Sequence, residues 1–231
     1  MQYFQAYRFA FESPKWINNV LIAALCQFVP IAGQMTLLGY LYETIEAKHR
    51  YGANVVVDFD IQRLGNYLSR GVWPFIVSIV GSLPLMLVPI AVWIMMALWI
   101  PFMRPGGEPE MPAGFFVVIF GFAGAFLVLA IAVNIIVMPM TLRAGLMQDF
   151  VPAFSFSFVQ DFLRLVWVEL LLAMLFLLVT MPFVMLAGLA MFCVGIYVAS
   201  AVVFFANYHL HYQLYELYLE RGGAPIPLKS V

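Results

Sequence analysis

Four long apolar stretches divide the chain, and the charged residues collect between them. The stretches run roughly from Ile17 to Tyr42, from Gly71 to Met103, from Phe115 to Leu142 and from Leu165 to Tyr215. A helix rises about 1.5 Å per residue, so about 20 residues cross a hydrocarbon core of roughly 30 Å. The second and third stretches each predict one long helix. The fourth is long enough for two helices, with a reversal near Gly195.

The first stretch allows two interpretations because the segment from Pro30 to Gly33 interrupts it. It is either a single kinked span or a short, re-entrant hairpin. Basic residues concentrate in short cytoplasmic loops, so their distribution separates the two. With a hairpin, 10 of the 11 basic residues share one side and only Arg104 lies opposite, whereas a single span gives 8 against 3. The hairpin is favoured, and it places both termini in the cytoplasm.

The pattern therefore predicts an all-α fold, an integral membrane bundle of about six hydrophobic helices in three hairpins. The bundle forms a single transmembrane domain over residues 1–231. Aromatic segments between the hairpins are expected to lie flat at the membrane interface as amphipathic elements. Because such a segment precedes each hairpin, the sequence also predicts internal repeats over residues 3–50, 55–148 and 152–219. Parallel repeats of this kind occur in some transporters.

Each of these aromatic segments ends in a helix-start signal. Ser13 is predicted to cap the first helix, with Pro14 at its first position. Either Asp58 or Asp60 can cap the second hairpin. Ser157 is predicted to cap the third, with a glutamine three residues later completing a capping box. A small-residue patch at residues 121–125 predicts close helix packing.

Composition agrees with a membrane protein. The chain is 65% hydrophobic and 10% charged, whereas soluble domains carry about a quarter charged residues. The net charge of −1 gives no basic field that would attract nucleic acid, so no nucleic-acid partner is expected. We expect the cell (plasma) membrane as the location and membrane lipids as neighbours. A second copy of the chain or another membrane protein is a further candidate partner.

Polar residues inside the apolar stretches are the candidate functional residues, because a polar group at bilayer depth is costly without a partner. Gln27 and Gln34 flank the break at Pro30, and transporters often bind solutes at broken helices. Asn134 either contacts a substrate or, as the plainer interpretation, hydrogen-bonds a neighbouring helix. Glu169 either relays protons or, as the favoured interpretation, pairs with a basic residue at headgroup depth.

Catalytic chemistry is not indicated. His209 and His211 are two residues apart, so on a helix they point to different faces and make a poor metal pair. The sequence contains no metalloprotease, nucleophile-elbow, phosphate-loop or paired-cysteine motif. We therefore expect no catalytic, cofactor-binding or metal-binding residues and no enzyme activity. An intramembrane enzyme that uses Glu169 with His209 is kept as the third hypothesis.

Several short aromatic-rich motifs occur in a distinctive order along the chain. They read FAFESPKW from Phe9, PIAG from Pro30, LLGYLYETI from Leu37, AFSFSFVQDFLRL from Ala153 and YHLHYQLYEL from Tyr208. In this order the chain resembles a prokaryotic membrane protein family catalogued as domain of unknown function 4013. It departs from that pattern near the DFD segment, where Val55–Val57 stand in place of an expected proline and tryptophan. The resemblance implies a polytopic membrane protein and no particular activity.

The favoured function is a membrane-embedded scaffold or lipid-organising component, because intramembrane polar groups are few and the loops are too short for a catalytic domain. The alternative is a small solute transporter or channel built around Gln27, Gln34 and Asn134.

Overall fold

The computed structural model describes residues 1–99 and 113–229. Arg104, the one basic residue assigned to the far side of the membrane, lies outside the described residues. Within them the regular structure is entirely helical.

Seven α-helices make up the described part of the chain. They are α1 (Tyr3–Phe9), α2 (Trp16–Cys26), α3 (Ala32–Tyr51), α4 (Leu64–Trp99), α5 (Ala113–Met147), α6 (Phe156–Ala190) and α7 (Phe192–Glu220). Short 3-10 turns at Ile61–Arg63 and Val151–Phe154 lead into α4 and α6. Helices α4, α5, α6 and α7 are each long and apolar enough to cross a membrane. The predicted all-α membrane bundle is confirmed.

Helices α2 and α3, α4 and α5, and α6 and α7 form three antiparallel hairpins, as the pattern predicted. Each predicted repeat covers one hairpin, and their relation by an internal symmetry stays a prediction. The first stretch is a hairpin and not a single span, because the chain reverses between Cys26 and Ala32. At Ile31 the backbone has φ 63° and ψ −68°, and the amide of Ala32 bonds the carbonyl of Pro30 at 2.7 Å. This is a strained γ-turn.

Glycines set the closest helix crossings. A Cβ placed on Gly39 of α3 would lie 1.8 Å from the carbonyl oxygen of Tyr67 on α4. A Cβ on Gly71 would lie 1.7 Å from the carbonyl oxygen of Met35. The two backbones therefore touch where α3 crosses α4. The prediction of close helix packing at the small-residue patch is wrong. A Cβ on Gly121 or Gly124 meets nothing within 4 Å among the described residues.

Two of the predicted caps are displaced. Helix α2 begins at Trp16, and the Ser13 hydroxyl accepts the Lys15 amide at 2.8 Å while it donates to the carboxylate of Asp58. The first segment is thus tied to the second by a side chain that was predicted to cap only its own helix. Helix α6 is capped by Ser155, which accepts the Phe158 amide at 3.4 Å, and not by Ser157.

Asp60 caps the turn into α4, as predicted, by accepting the Gln62 amide at 2.9 Å. Helix α6 is broken at Val166, where φ is −135° and ψ is 17°. The break separates a first segment, residues 156–165, from the rest of the helix, residues 167–190. The first segment corresponds in position to one of the predicted interfacial elements.

Candidate functional site

The two glutamines of the first hairpin lie at its turn. The side-chain nitrogen of Gln27, just after α2, donates to the carbonyl oxygen of Tyr197 on α7 at 3.1 Å. Gln34 is half-buried in the first turn of α3. This hydrogen bond links the first hairpin to α7. It gives Gln27 a structural role, so its polar side chain needs no bound solute as a partner. The structure does not bring either glutamine into one site with Asn134.

Glu169 is held by Arg221, the residue that follows α7. Arg221 donates from Nη1 to Glu169 Oε2 at 3.0 Å and from Nη2 to Oε1. The same Nη1 also bonds the carbonyl oxygen of Leu165, beside the break in α6. One guanidinium therefore neutralises the carboxylate and satisfies a backbone group at the bend, which is the fork geometry that suits arginine.

His209 lies elsewhere. Its ring stacks on Phe9 of α1, with the ring centres 4.9 Å apart, while His211 faces the other side of α7 against Tyr208. Arg221, the partner of Glu169, follows His209 by twelve residues, or about 18 Å along a helix. The third hypothesis needs Glu169 and His209 together, and the structure does not bring them together.

Asn134 lines a cavity that the sequence did not predict. This interhelical cleft has a volume of about 390 Å³ and lies among α4, α5, α6 and α7. Its polar lining comes from three of the four helices: Ser78 and Ser82 on α4, Asn134 and Thr141 on α5, and Asn207, Tyr208 and His211 on α7.

The α6 wall of the cleft is apolar. Leu170, Met174, Leu177 and Met181 follow one another at helical spacing along it. The cleft therefore has two unlike sides. The α6 side is wholly apolar, and on the side formed by α4, α5 and α7 hydrogen-bonding groups lie among apolar residues such as Ile131, Val137 and Leu210. Methionine and leucine side chains of this kind adapt their shape to an apolar partner.

The polar side chains do not close the cleft by bonding one another. The hydroxyl of Ser78 donates to Phe75 O at 2.7 Å, the amide of Asn134 to Ala130 O at 2.8 Å, and the hydroxyl of Thr141 to Met138 O at 2.9 Å. Each of these bonds stays within its own helix. The donor groups of Ser78, Asn134 and Thr141 therefore already have acceptors within their own helices. The side-chain carbonyl oxygen of Asn134 can still accept a hydrogen bond from a bound molecule.

His211 lines the cleft and carries an unsatisfied atom beneath the surface. Its Nδ1 atom is buried and has no hydrogen-bond partner among the described residues. A buried polar atom without a partner costs free energy.

The sequence carried a signal for this site that periodicity could have revealed. Ser78 and Ser82, and likewise Asn207 and His211, are four residues apart, so each pair shares one helix face. Thr141 follows Asn134 by seven residues, which also returns to the same face. No single polar residue indicates this site, because the signal lies in the spacing of the pairs.

In contrast to the uncharged cleft, one end of the molecule is rich in charged residues. This charged end is formed by α1, the second half of α3, the start of α4 and the end of α7. Glu46 bonds Arg50 at 2.7 Å and also pairs with Arg70. Lys48 is almost fully buried, with Glu12 at 3.6 Å and its ammonium 5.0 Å above the ring of Phe9. Burial lowers the pKa of Lys48, and the nearby Glu12 opposes that shift.

A family model described as "Protein of unknown function (DUF4013)" matches residues 22–206. The chain belongs to this family. The DUF4013 match includes four of the cleft's polar residues but ends just before Asn207 and His211. A search of curated proteins and a search of solved structures found no match.

Proposed function

We propose that this protein organises membrane lipid by holding one amphipathic lipid in the interhelical cleft. The observation that carries the proposal is the pair of unlike walls. Apolar surface on α6 faces hydrogen-bonding groups on α4, α5 and α7. A molecule with a hydrocarbon tail and a polar head matches both sides at once, whereas a purely apolar or purely polar molecule matches one.

The head group of this lipid is expected to be neutral. Asp, Glu, Lys and Arg are absent from the described residues that line the cleft. An ionised group would therefore lose its water without gaining a counter-charge, which is unfavourable at bilayer depth. Hydroxyl or amide groups fit, because they can donate to the side-chain oxygen of Asn134.

Transport of a small neutral solute is the second candidate function. It is favoured by one observation, which is that the polar lining comes from three different helices. Solute sites of secondary transporters are likewise assembled near the bilayer midplane from several helices. A transporter gives solute flux into proteoliposomes, and a lipid-holding protein gives none.

The proposed role is not enzymatic and uses no cofactor. In support, Glu169 is engaged by Arg221 and His209 stacks on Phe9, so neither of the two residues of the enzyme hypothesis is poised for proton transfer with the other. Substituting either residue should leave the biological role of the protein intact if it depends only on lipid binding.

We also propose that the charged end faces the cytoplasm of a plasma-membrane protein, because 10 of the 11 basic residues fall on that side of the three hairpins. A topology reporter fused before Ser13 and one fused near Gly52 are expected to give the same cytoplasmic signal. Opposite signals at the two positions would contradict this orientation.

The test of the cleft is native mass spectrometry of the protein purified in its own membrane lipid. Replacing both Asn134 and Asn207 with leucine should lower the occupancy of a retained lipid by about fivefold to tenfold, as two intramembrane hydrogen bonds of roughly 0.6 kcal/mol each imply. Asn66→Leu is the matched control, since Asn66 is exposed at the start of α4 and outside the cleft.

Equal lipid retention by the double variant and the wild type would overturn the proposal. Loss of lipid with Asn66→Leu as well would show a general effect of the purification and would also contradict it. Neutral-solute flux that the double variant abolishes would replace lipid holding with the second candidate function.

A further inference from the structure

A second apolar surface lies outside the bundle, between α5 and the first segment of α6. This open groove has a volume of about 710 Å³. Ile136 and Met140 of α5 form one wall, and Val159 and Leu163 of α6 form the other. It shares no lining residue with the interhelical cleft. The groove exists because α6 changes direction at Val166, so its first segment does not continue along the axis of residues 167–190.

The rim of the groove carries three hydrogen-bond donors. Gln160, Arg164 and Trp167 all line it, and their spacing of four and three residues places them on one side of α6. The Gln160 amide, the Arg164 guanidinium and the Trp167 indole all donate. Because Ser155 caps the helix, Gln160 lines the groove and does not complete the capping box that the sequence predicted.

Arg164 is an exposed cation at this rim. Among the described residues it has no carboxylate within 4 Å, unlike the arginines at positions 50, 63, 70 and 221. Asp161 precedes it by three residues on α6, and Arg143 of α5 covers the ring of Phe158. Neither of these two charged residues lines the groove.

The depth of the rim is indicated by Trp167, which is 54% exposed on α6. Tryptophan concentrates where the hydrocarbon meets the headgroups. Arginine forms paired hydrogen bonds with phosphate oxygens in a geometry that lysine does not reproduce. The rim therefore places a phosphate-binding side chain at headgroup depth, beside the apolar walls of the groove.

We propose that this groove binds an anionic phospholipid, with one acyl chain between α5 and α6 and the phosphate on Arg164. Charge complementarity selects this occupant. The groove contributes one net positive charge and donor groups, so a lipid with net negative charge gains more from it than a zwitterionic one. The site is separate from the cleft and does not depend on the proposed function.

The test compares wild-type protein with Arg164→Gln in nanodiscs made from equal parts of phosphatidylglycerol and phosphatidylcholine. Native mass spectrometry after release from the nanodisc measures the ratio of the two lipids that stay bound. The wild type should retain phosphatidylglycerol preferentially. Arg164→Gln should lower that preference about fivefold, the ratio that corresponds to roughly 1 kcal/mol for one basic residue at a membrane surface.

Arg8→Gln is the matched control because Arg8 is also exposed and does not line the groove. It should leave the preference unchanged. An equal drop for Arg8→Gln and Arg164→Gln, or no drop for Arg164→Gln, would overturn the proposal.

A second variant tests the apolar part without altering charge. Ile136 is 49% exposed in the groove, so Ile136→Trp fills space without disturbing a buried contact. It should reduce the number of bound phosphatidylglycerol molecules per protein by one. An unchanged count in a monodisperse sample would contradict an acyl chain in this groove. Neither variant touches the cleft, so the two proposals fail independently.

Discussion

The charged end and the opposite half of the bundle use the same kind of helix but hold their helices together differently. At the charged end, buried ion pairs, stacked rings and glycine crossings join neighbouring helices. The opposite half, here called the open half, comprises the end of α4, the start of α5 and the end of α6. It exposes large apolar side chains such as Leu87, Trp93, Phe120 and Phe183.

The difference follows from the solvent. Lipid tails are as apolar as leucine, so apolar helices gain little by leaving lipid for one another. Close backbone contact and polar bonds are what remain to join them. The charged end has both. In the described part of the open half, α6 and α7 come close at their turn, where a Cβ on Gly195 would lie 2.2 Å from the carbonyl oxygen of Gly188, and many of the large apolar side chains face outward, where lipid would surround them. The cleft lies between these regions.

The largest effect is expected where two backbones touch. Gly39→Val should prevent α3 from crossing α4, because its Cβ would lie 1.8 Å from the carbonyl oxygen of Tyr67. We expect loss of monodisperse protein on size-exclusion chromatography, since overpacking costs about 3 kcal/mol or more when backbone must move. Gly121→Val in the open half is the control and should elute like the wild type. If both variants eluted in the same way, the proposed difference between the charged end and the open half would be contradicted.

The next effect concerns the buried carboxylate. Glu46→Gln leaves Arg70, whose side chain is only 10% exposed, without its charged partner. The free energy of unfolding, measured by titration with a denaturing detergent, should fall by about 3 kcal/mol. Glu43→Gln removes a pair in which Arg63 is 44% exposed, so it should cost about 1 kcal/mol or less. A larger loss for Glu43→Gln would contradict the assignment of burial at this end.

A pH dependence is expected from the junction between the first two hairpins. Hydrogen bonds from Ser13 and then Asn19 lower the pKa of Asp58 below its ordinary value of 3.8. A depressed pKa in the folded state contributes stability above the unfolded value, and that contribution is lost as pH falls through the folded value. The difference in unfolding free energy between wild type and Asp58→Asn should therefore be largest near neutral pH and shrink below about pH 4. A difference that does not change with pH would contradict it.

The smallest effect is a gain. Ile31 holds a positive φ, which costs a non-glycine residue about 1–3 kcal/mol, and its side chain is 60% exposed. Ile31→Gly should raise the free energy of unfolding by about 1 kcal/mol after the flexibility of glycine is allowed for. Ile31→Ala keeps a Cβ at the same φ and should not stabilise. Stabilisation by alanine as well would point to the exposed side chain and not the backbone.

Much of the fold followed from sequence because the bilayer restricts the choices. Long apolar runs can only be helices in lipid, and charge asymmetry distinguished a hairpin from a single span between Ile17 and Tyr42. The caps were harder. Ser155 and Ser157 are both serines that could cap α6, and sequence does not distinguish them. Ser13 hydrogen-bonds Asp58, a residue 45 positions away, and does not cap its own helix.

The cleft could not be assembled from sequence even though its polar residues were visible. Spacing shows that Asn207 and His211 share a face of α7, but it does not show which helix that face meets. That depends on helix rotation and crossing, and these are set by the contacts at Gly39 and Gly71. The small residues at Gly121 and Gly124 misled for the same reason, since a small residue permits a close contact without requiring one.

The most direct test of the central claim, that the cleft holds one defined lipid, is site-specific photocrosslinking in native membranes. A benzophenone amino acid is placed at Leu177 in the cleft or at Leu189, which is 52% exposed on the open half. We predict a single dominant lipid adduct at Leu177 and a spread of bulk lipids at Leu189. The same bulk-lipid distribution at both positions would contradict the account.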